Sequence, residues 1–490
     1  MRNFFVQAVA LLVLPLVSCT ATTAAEPPNI LFIIADDASR HFGEAYHCRW
    51  ARTPNIDRLA AAGVVFDNAY TPTSKCAPSR AAILTGRNPW QLEEAANHQP
   101  YFPAKFTAFT EVLQQAGVYT GGAGKTWGPG TAQLSDGKAR DFGLTKARGR
   151  KAGGSPGDGL AAFLANRPHG KPFFYWFGSA NPHRAYPPDS GLAAGKKTTD
   201  IDRVPAYWPD NDIIRRDMLD YAVEVEAFDA EVGSLLQALE AAGEDRNTLV
   251  IVTSDHGMPF PRVKGHTFDD AHRIPFVARW PAGIAAAGRR VREFISFIDL
   301  APTMLELQQV ASTDSPMAAI TGRSFVNLLT NTPGPERPFV IIGRERNDVQ
   351  CRPGTPAGLG YPARAIRFDR FLYVHNFEPD RWPCGNPEIG FSDTDASPTK
   401  TFAETSGIDS PWWQHAFGKR PAEQLFDIET DPDCVNNLAA NPDFRQQTDV
   451  MREQLMNELR QQQDPRVLGS GAVFDNYLSP RATGAGARKE

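Results

Sequence analysis

A chain of 490 residues is too long for one ordinary core, so it predicts a large α/β domain with a smaller one beside it. With 42% hydrophobic and 22% charged residues, it has the composition of a soluble globular protein. The net charge of −5 and isoelectric point near 6.1 argue against a nucleic-acid-binding surface, but leave room for a local cationic site for a small anion.

The chain opens MRNFFVQAVALLVLPLVSCT, with one arginine, then an apolar run, then small and polar residues. This predicts an export signal over residues 1–18, too short for a good membrane span. Its end, Leu16-Val17-Ser18-Cys19, is similar to a bacterial lipobox, with Cys19 as the lipidation site. Ordinary cleavage that discards Cys19 is the alternative. Both predict an exported protein, periplasmic, anchored at the outer membrane or secreted, whose membrane contact is limited to that lipid. No later stretch is apolar for long enough to span a bilayer.

Residues 29–34 (NILFII) read as a buried parallel strand that ends at Asp36-Asp37. A short helix at 54–63 with a glycine stop precedes a strand at 64–66. A helix start is predicted at Ser79, after Pro78. An amphipathic helix at 110–116 leads through a strand at 118–122 to Gly124-Lys125. The strand at 172–177 (PFFYWF) runs into Asn181-Pro182-His183-Arg184. A long helix at 217–242 precedes a strand at 248–253 that ends at Ser254-Asp255-His256-Gly257, and 275–280 reads as another strand. This alternation predicts a mostly parallel sheet covered by helices across residues 27–335. Residues 336–465 read as a smaller α+β domain. It has a hairpin turning at Asp369-Arg370, a strand at 424–427 and a helix at 445–462. Residues 466–490 read as a partly ordered tail. The sequence has no internal repeat.

Asp36, Asp37, Asp255 and His256 follow apolar strands, at the sheet edge where open α/β folds bind ligands. Paired acids suit a hard divalent cation, and calcium tolerates adjacent carboxylates. The histidine is less typical of calcium and would also suit zinc or manganese, and a single Asp-Asp would serve as a helix cap or turn. Arg80, Lys125, His183 and Lys264 lie in or beside loops after predicted strands. Singly each reads as a surface charge. Together with a metal they suit a tetrahedral anion such as sulfate or phosphate, which needs fixed cations and donors. Five cysteines remain beyond Cys19, an odd number, with Cys351 and Cys384 a plausible pair. A thiolate at Cys76 would be a soft group among hard ligands, so residue chemistry alone leaves it unresolved.

Cys76-Ala77-Pro78-Ser79-Arg80, followed by Leu84-Thr85-Gly86, resembles the signature of the type I sulfatases. Its C-x-P-x-R core is read by the formylglycine-generating enzyme, which oxidises the cysteine to Cα-formylglycine. The resemblance runs over residues 29–440. It includes Asp36-Asp37, Gly124-Lys125, Asn181-Pro182-His183, Ser254-Asp255-His256-Gly257, the run at 421–427, Asp431-Pro432 and Asn437-Leu438. It implies an alkaline-phosphatase-like α/β fold with a smaller C-terminal domain carrying a short antiparallel sheet. It implies a calcium ion held by Asp36, Asp37, Asp255, His256 and the formylglycine made from Cys76. One hydroxyl of the hydrated aldehyde would attack sulfur and the other would expel sulfate. Arg80 would steady the hydrate and the metal site, Lys125 and Lys264 would grip sulfate, and His183 would protonate the leaving group.

One position departs from the family pattern. Many members have a histidine two residues after the lysine of the Gly-Lys segment, and here that residue is Trp127. His98 and His266 are the candidates to replace it. Within the family, the chain looks most like the N-sulfoglucosamine sulfohydrolase branch and related bacterial polysaccharide sulfatases, on Asp36-Asp37-Ala38, Asn181 to Arg184 and residues 254–261. A sulfated saccharide is therefore the expected substrate, with Arg184, His266, Asp269, Asp270, His272 and Arg273 as candidate sugar contacts. Trp90, Tyr101 and Trp127 are candidate stacking aromatics. The rival readings are a phosphodiesterase or phosphonate monoester hydrolase of the same superfamily, and a non-catalytic glycan-binding lipoprotein.

Overall fold

Strand Asn29–Ala35 is buried along its whole length because both of its faces are covered. Leu31, Ile33 and Ala35 join one core with Met218, Val225, Val232 and Leu239 of the long helix Asp212–Ala241. Ile30, Phe32 and Ile34 point the other way, into a core with Val112 and Leu113 of helix Phe109–Gln115 and Met304 of helix Leu300–Leu307. The two-residue period of a strand thus sorts one apolar run onto two helical layers. The computed structural model describes residues 26–146, 154–310 and 315–482, so the export signal and Cys19 lie outside the described residues.

The sheet has eight strands. From edge to edge they are Arg289–Ser296, Val64–Tyr70, Phe276–Arg279, Thr248–Ser254, Asn29–Ala35, Phe173–Gly178, Tyr119–Gly124 and Thr145–Lys146. Adjacent strands are parallel except at Phe276–Arg279, which is antiparallel to both neighbours. The carboxyl ends of Asn29–Ala35, Thr248–Ser254, Phe173–Gly178 and Tyr119–Gly124 therefore open on one edge. A second sheet, wholly antiparallel, is ordered Phe339–Arg344, Ala363–Phe368, Phe371–Asn376, Glu423–Asp427. Helix Arg445–Gln461 lies on it through Met451, Leu455 and Leu459. Among the described residues no helix is long and apolar enough to cross a membrane.

Three local expectations change. The helix predicted to start at Ser79 begins at Cys76, with Pro78 inside its first turn, where a missing N–H costs no helical hydrogen bond. The long helix begins at Asp212 because Asn211 caps it, its side chain accepting from the Ile214 N–H. The C-terminal segment packs up to residue 482: Val473–Asn476 is helical, Asp475 accepts from the Gly360 N–H (2.7 Å), and Phe474 is buried. Phe474→Ala is expected to cost about 3–5 kcal/mol of stability, read by denaturant titration.

Candidate active site

Most groups of the site are delivered by the ends of regular elements, with His183 and Lys264 in the turns that follow two of the strands. Asp36 and Asp37 follow the central strand, and Asp37 takes a left-handed backbone (φ 73°), which Asp tolerates better than most residues. The turn is held by the Asp37 N–H donating to Asp255 Oδ1 (3.1 Å) and the Ala38 N–H donating to Ser254 Oγ (2.8 Å). Two strand ends far apart in sequence are thereby locked together. Cys76 is the first residue of helix Cys76–Thr85, every residue of which is buried. Ser79 fixes that helix against the sheet by donating to the Asp255 carbonyl (2.7 Å).

The sulfur of Cys76 lies 3.3 Å from His256 Nε2 and 3.9 Å from Asp37 Oδ1. His256 Nε2 is 3.1 Å from Asp37 Oδ1. Donor atoms of Asp37, Cys76 and His256 lie within 4.8 Å of one another, as do those of Asp36, Cys76 and Asp255. All five side chains are buried. So many buried carboxylates persist only because cations face them. Arg80, fully buried, donates through Nε to Asp255 Oδ2 (2.9 Å) and through Nη1 to the Lys125 carbonyl, and lies 3.6 Å from Asp36. Lys125 Nζ reaches both Asp36 oxygens (2.7 and 2.6 Å), and Lys264 Nζ reaches Asp37 Oδ2 (2.6 Å). Arg80→Ala would leave buried Asp255 without its guanidinium and Asp36 with Lys125 alone, and is expected to cost about 3–5 kcal/mol, seen as a lowered melting temperature.

The charges set the titration directions. Burial, then Asp255, push the Asp36 carboxyl above its ordinary range, against the pull of Lys125. Burial pushes Asp37 up as well, but Lys264, His183 and His256 outweigh it and hold the group below the usual range. Burial likewise opposes ionisation of Asp255, and His256 and Arg80 reverse it. Burial disfavours the His256 cation, yet Asp255, Asp37 and Cys76 carry its pKa up to about 9. Burial and Asp36 raise the Cys76 thiol, but Lys125, His256 and Lys264 bring it well below a free cysteine. The site is thus a compact set of alternating charges around residue 76.

A cavity of about 1070 Å³ opens above these groups. His183 stands in its wall, 3.4 Å from Lys264 Nζ and partly exposed, where it can meet a ligand from outside. Part of the lining comes from residues that the sequence reading did not single out: Lys75, Gln99, Glu224, Asp348, Asp395 and Arg481. Asp348 and Asp395 come from the C-terminal region. Asp395 lies 2.9 Å from Lys264, and Asp348 accepts from Lys75 (2.7 Å). Burial opposes the charge on Asp348, but Lys75 and His98 hold it well below the usual carboxylate range. The available signal was an acid just past an apolar strand, Phe339–Arg344, as at Asp36.

Of the six candidate sugar contacts, only Arg184 lines this cavity. It is also tied down, by Asp217 (2.8 Å) and the Pro259 carbonyl (2.9 Å), with Nη2 left unpartnered. The other five face elsewhere. Asp269 accepts from the Tyr70 hydroxyl (2.6 Å) and Asp270 from the Tyr207 hydroxyl (2.8 Å). The His272 ring lies between the carbonyls of Thr71 and His266, and Arg273 donates to the Asp67 carbonyl. His266 Nε2 meets Cys384 Sγ (3.2 Å). His266, Asp269 and His272 are buried and Asp270 and Arg273 half-buried, and each is engaged by a partner inside the fold away from this cavity. Cys351 and Cys384 are free thiols, not a disulfide. Trp127 does line the cavity, with its indole N–H committed to the Ala77 carbonyl (3.1 Å). Trp90 instead donates to Gln462 under Arg364.

The sulfatase family pattern matches residues 28–310. Human N-sulphoglucosamine sulphohydrolase is 28% identical over 501 aligned residues, which cover 93% of this chain and 95% of that protein. An ulvan-active sulfatase of Formosa agariphila is 26% identical, over 88% of this chain and 74% of its own. The solved structure of BT4656 in complex with its substrate D-glucosamine-2-N,6-O-disulfate has a TM-score of 0.62 at 21% identity, over 90% of this chain and 99% of that one. That likeness shows the alkaline-phosphatase-like architecture expected from the sequence. With more than half of its length matched and its strand-end acids gathered around Cys76, the chain belongs to the sulfatase family of sulfuric ester hydrolases.

Proposed function

We infer that the protein hydrolyses a sulfate ester or N-sulfate of a sulfated saccharide, with residue 76 working as formylglycine beside one divalent cation, calcium. The observation that carries this reading is the convergence of Asp36, Asp37, Asp255, His256 and Cys76 in one buried cluster. The donor set fits the ion. It is rich in carboxylate oxygens, which suit a hard cation, and its acids otherwise depend on Lys125, Lys264 and Arg80 for neutralisation. When bound, the ion would supply charge for the sulfate oxygens, and the aldehyde hydrate would supply the oxygen nucleophile.

This chain's own groups do the rest. Lys125, on Asp36, and Lys264, on Asp37, line the same cavity as residue 76 and can turn from the carboxylates towards sulfate oxygens once a cation takes the acids. Arg80 is too well tied to move and keeps Asp255 and Asp36 in place. His183, partly exposed at the cavity wall, is placed to give a proton to the leaving sugar oxygen or nitrogen. The human relative named for N-sulphoglucosamine and the neighbour solved with a disulfated glucosamine support an amino-sugar sulfate as substrate. The catalytic part is residues 27–335, and export as a lipoprotein through Cys19, after action of the formylglycine-generating enzyme, completes the reading.

The test is sulfate release from glucosamine N-sulfate and 6-sulfate, alongside matched aryl sulfate and aryl phosphate. Release from a sulfated saccharide is expected. Faster cleavage of the aryl phosphate would favour the phosphonate or phosphodiester hydrolase instead, and binding without turnover would favour the glycan-binding protein.

A further inference from the structure

His98 is tied to the C-terminal region at two points, and that leaves one ring nitrogen unaccounted for. It lies just after a short 3-10 turn, Glu93–Ala96, and its backbone N–H donates to the Arg346 carbonyl (2.9 Å). The ring is buried, and its Nδ1 is 2.9 Å from Asp348 Oδ1. Asp348 is itself fixed by Lys75 (2.7 Å) and by the Asp348 N–H donating to Asp393 Oδ1 (3.1 Å). A carboxylate at Nδ1 places the proton on that nitrogen, as an orienting acid does for a catalytic imidazole. Nε2 is then left buried with no hydrogen-bond partner among the described residues, in the wall of the cavity that Cys76 also lines and close enough to feel the Cys76 side chain. Orphaned buried nitrogens are rare enough to need a reason. His256, the other imidazole at Cys76, belongs to the cluster of acids, and the Trp127 indole N–H is already spent on Ala77.

We propose that His98, oriented by Asp348, is a catalytic residue that contacts the oxygen of residue 76 opposite the cluster of acids and takes its proton. The proposal rests on the formylglycine reading above. As the sulfated residue 76 breaks its bond to sulfate, the sulfate leaves with the bonding electron pair. The proton of the remaining hydroxyl passes to His98 Nε2, and the carbon–oxygen double bond of the aldehyde forms. The proton then leaves to water at the cavity mouth, and addition of water restores the hydrate. No oxidant or reductant is consumed. The sequence separation between His98, Asp348 and Cys76 shows why this arrangement comes from the tertiary fold and not from a local motif.

The experiment uses the full-length protein with its aldehyde content at residue 76 measured by peptide mass spectrometry, so a failed formylglycine reading is recognised independently. His98→Phe fills the ring's space without a hydrogen bond, and Asp348→Asn keeps the imidazole but removes its orienting charge. The expected result is a fall in kcat on the order of 100-fold for His98→Phe and about tenfold for Asp348→Asn, with KM within about threefold and aldehyde content unchanged. A second readout is oxime formation between residue 76 and an aminooxy probe, expected to speed up in His98→Phe because the hydrate loses its partner. Should His98→Phe fail to fold, His98→Gln and Asp348→Asn decide the matter by the same two readouts. A kcat within about threefold of wild type in the folded variants, with aldehyde present and labelling unchanged, overturns the proposal.

Discussion

Cys76→Ala is expected to lower kcat by on the order of 10^4-fold or more while the protein still folds. The two halves of that expectation have separate causes. Residue 76 is the first position of helix Cys76–Thr85, where alanine is a good fit, and the helix is held through Ser79 and Arg80 and not through the sulfur. Among the described residues the sulfur's hydrogen-bond contacts are to His256 and Asp37, neither of which holds the helix. Loss of the sulfur should cost about 1 kcal/mol through a small cavity. Chemistry fares differently, because Lys125, Lys264, His256 and Asp37 all converge on this side chain, and none of them offers an oxygen that can both attack and release sulfate. Circular dichroism and thermal melting near wild type, beside lost sulfate release, is the predicted pair of results. Substantial residual turnover would remove the mechanism.

Asp255→Asn is expected to lose calcium and activity together. Asn keeps the shape but has one oxygen, so it can still accept from the Asp37 N–H or from Arg80 Nε, and not from both. What disappears is one negative charge among Arg80, Lys125 and His256, and with it an anionic ligand for a hard ion. Metal content measured after dialysis should fall from near one calcium per chain to well below it. Since an ion that binds only the folded state raises its stability with concentration, added calcium should raise the melting temperature of wild type and not of the variant. Chelation of wild type should copy the activity loss, and calcium should reverse it. Unchanged calcium content in Asp255→Asn would reject its role as a ligand.

What was legible in the sequence was what local pattern controls. Strands at Asn29–Ala35, Phe173–Gly178 and Thr248–Ser254 are continuous apolar runs because helices cover both faces, and each announces the acids or histidine at its end. The signature around Cys76 is contiguous, so Arg80 and the helix could be read together. The run from Asp269 to Arg273 misled, because polar residues beside a matched motif look like a ligand pocket. In the fold, Gly257 donates to the Ala271 carbonyl and closes this loop inward, where each polar group is consumed by Tyr70, Tyr207, Thr71 or Asp67. The C-terminal contributions were not legible for a different reason. Asp348 and Asp395 reach Lys75 and Lys264 across long sequence separations, and such pairings depend on how two sheets dock. Nothing in the spacing of residues 98, 348 and 76 marks them as neighbours.

The central claim is that residue 76 is not a cysteine in the working enzyme. Mass spectrometry of the peptide spanning residue 76, from catalytically active protein made in its native host, tests it most directly. The predicted result is a peptide in which the side chain –CH2–SH has become –CHO, and which forms an adduct with an aldehyde-reactive probe. An unmodified thiol throughout a preparation that releases sulfate at full rate would contradict the account.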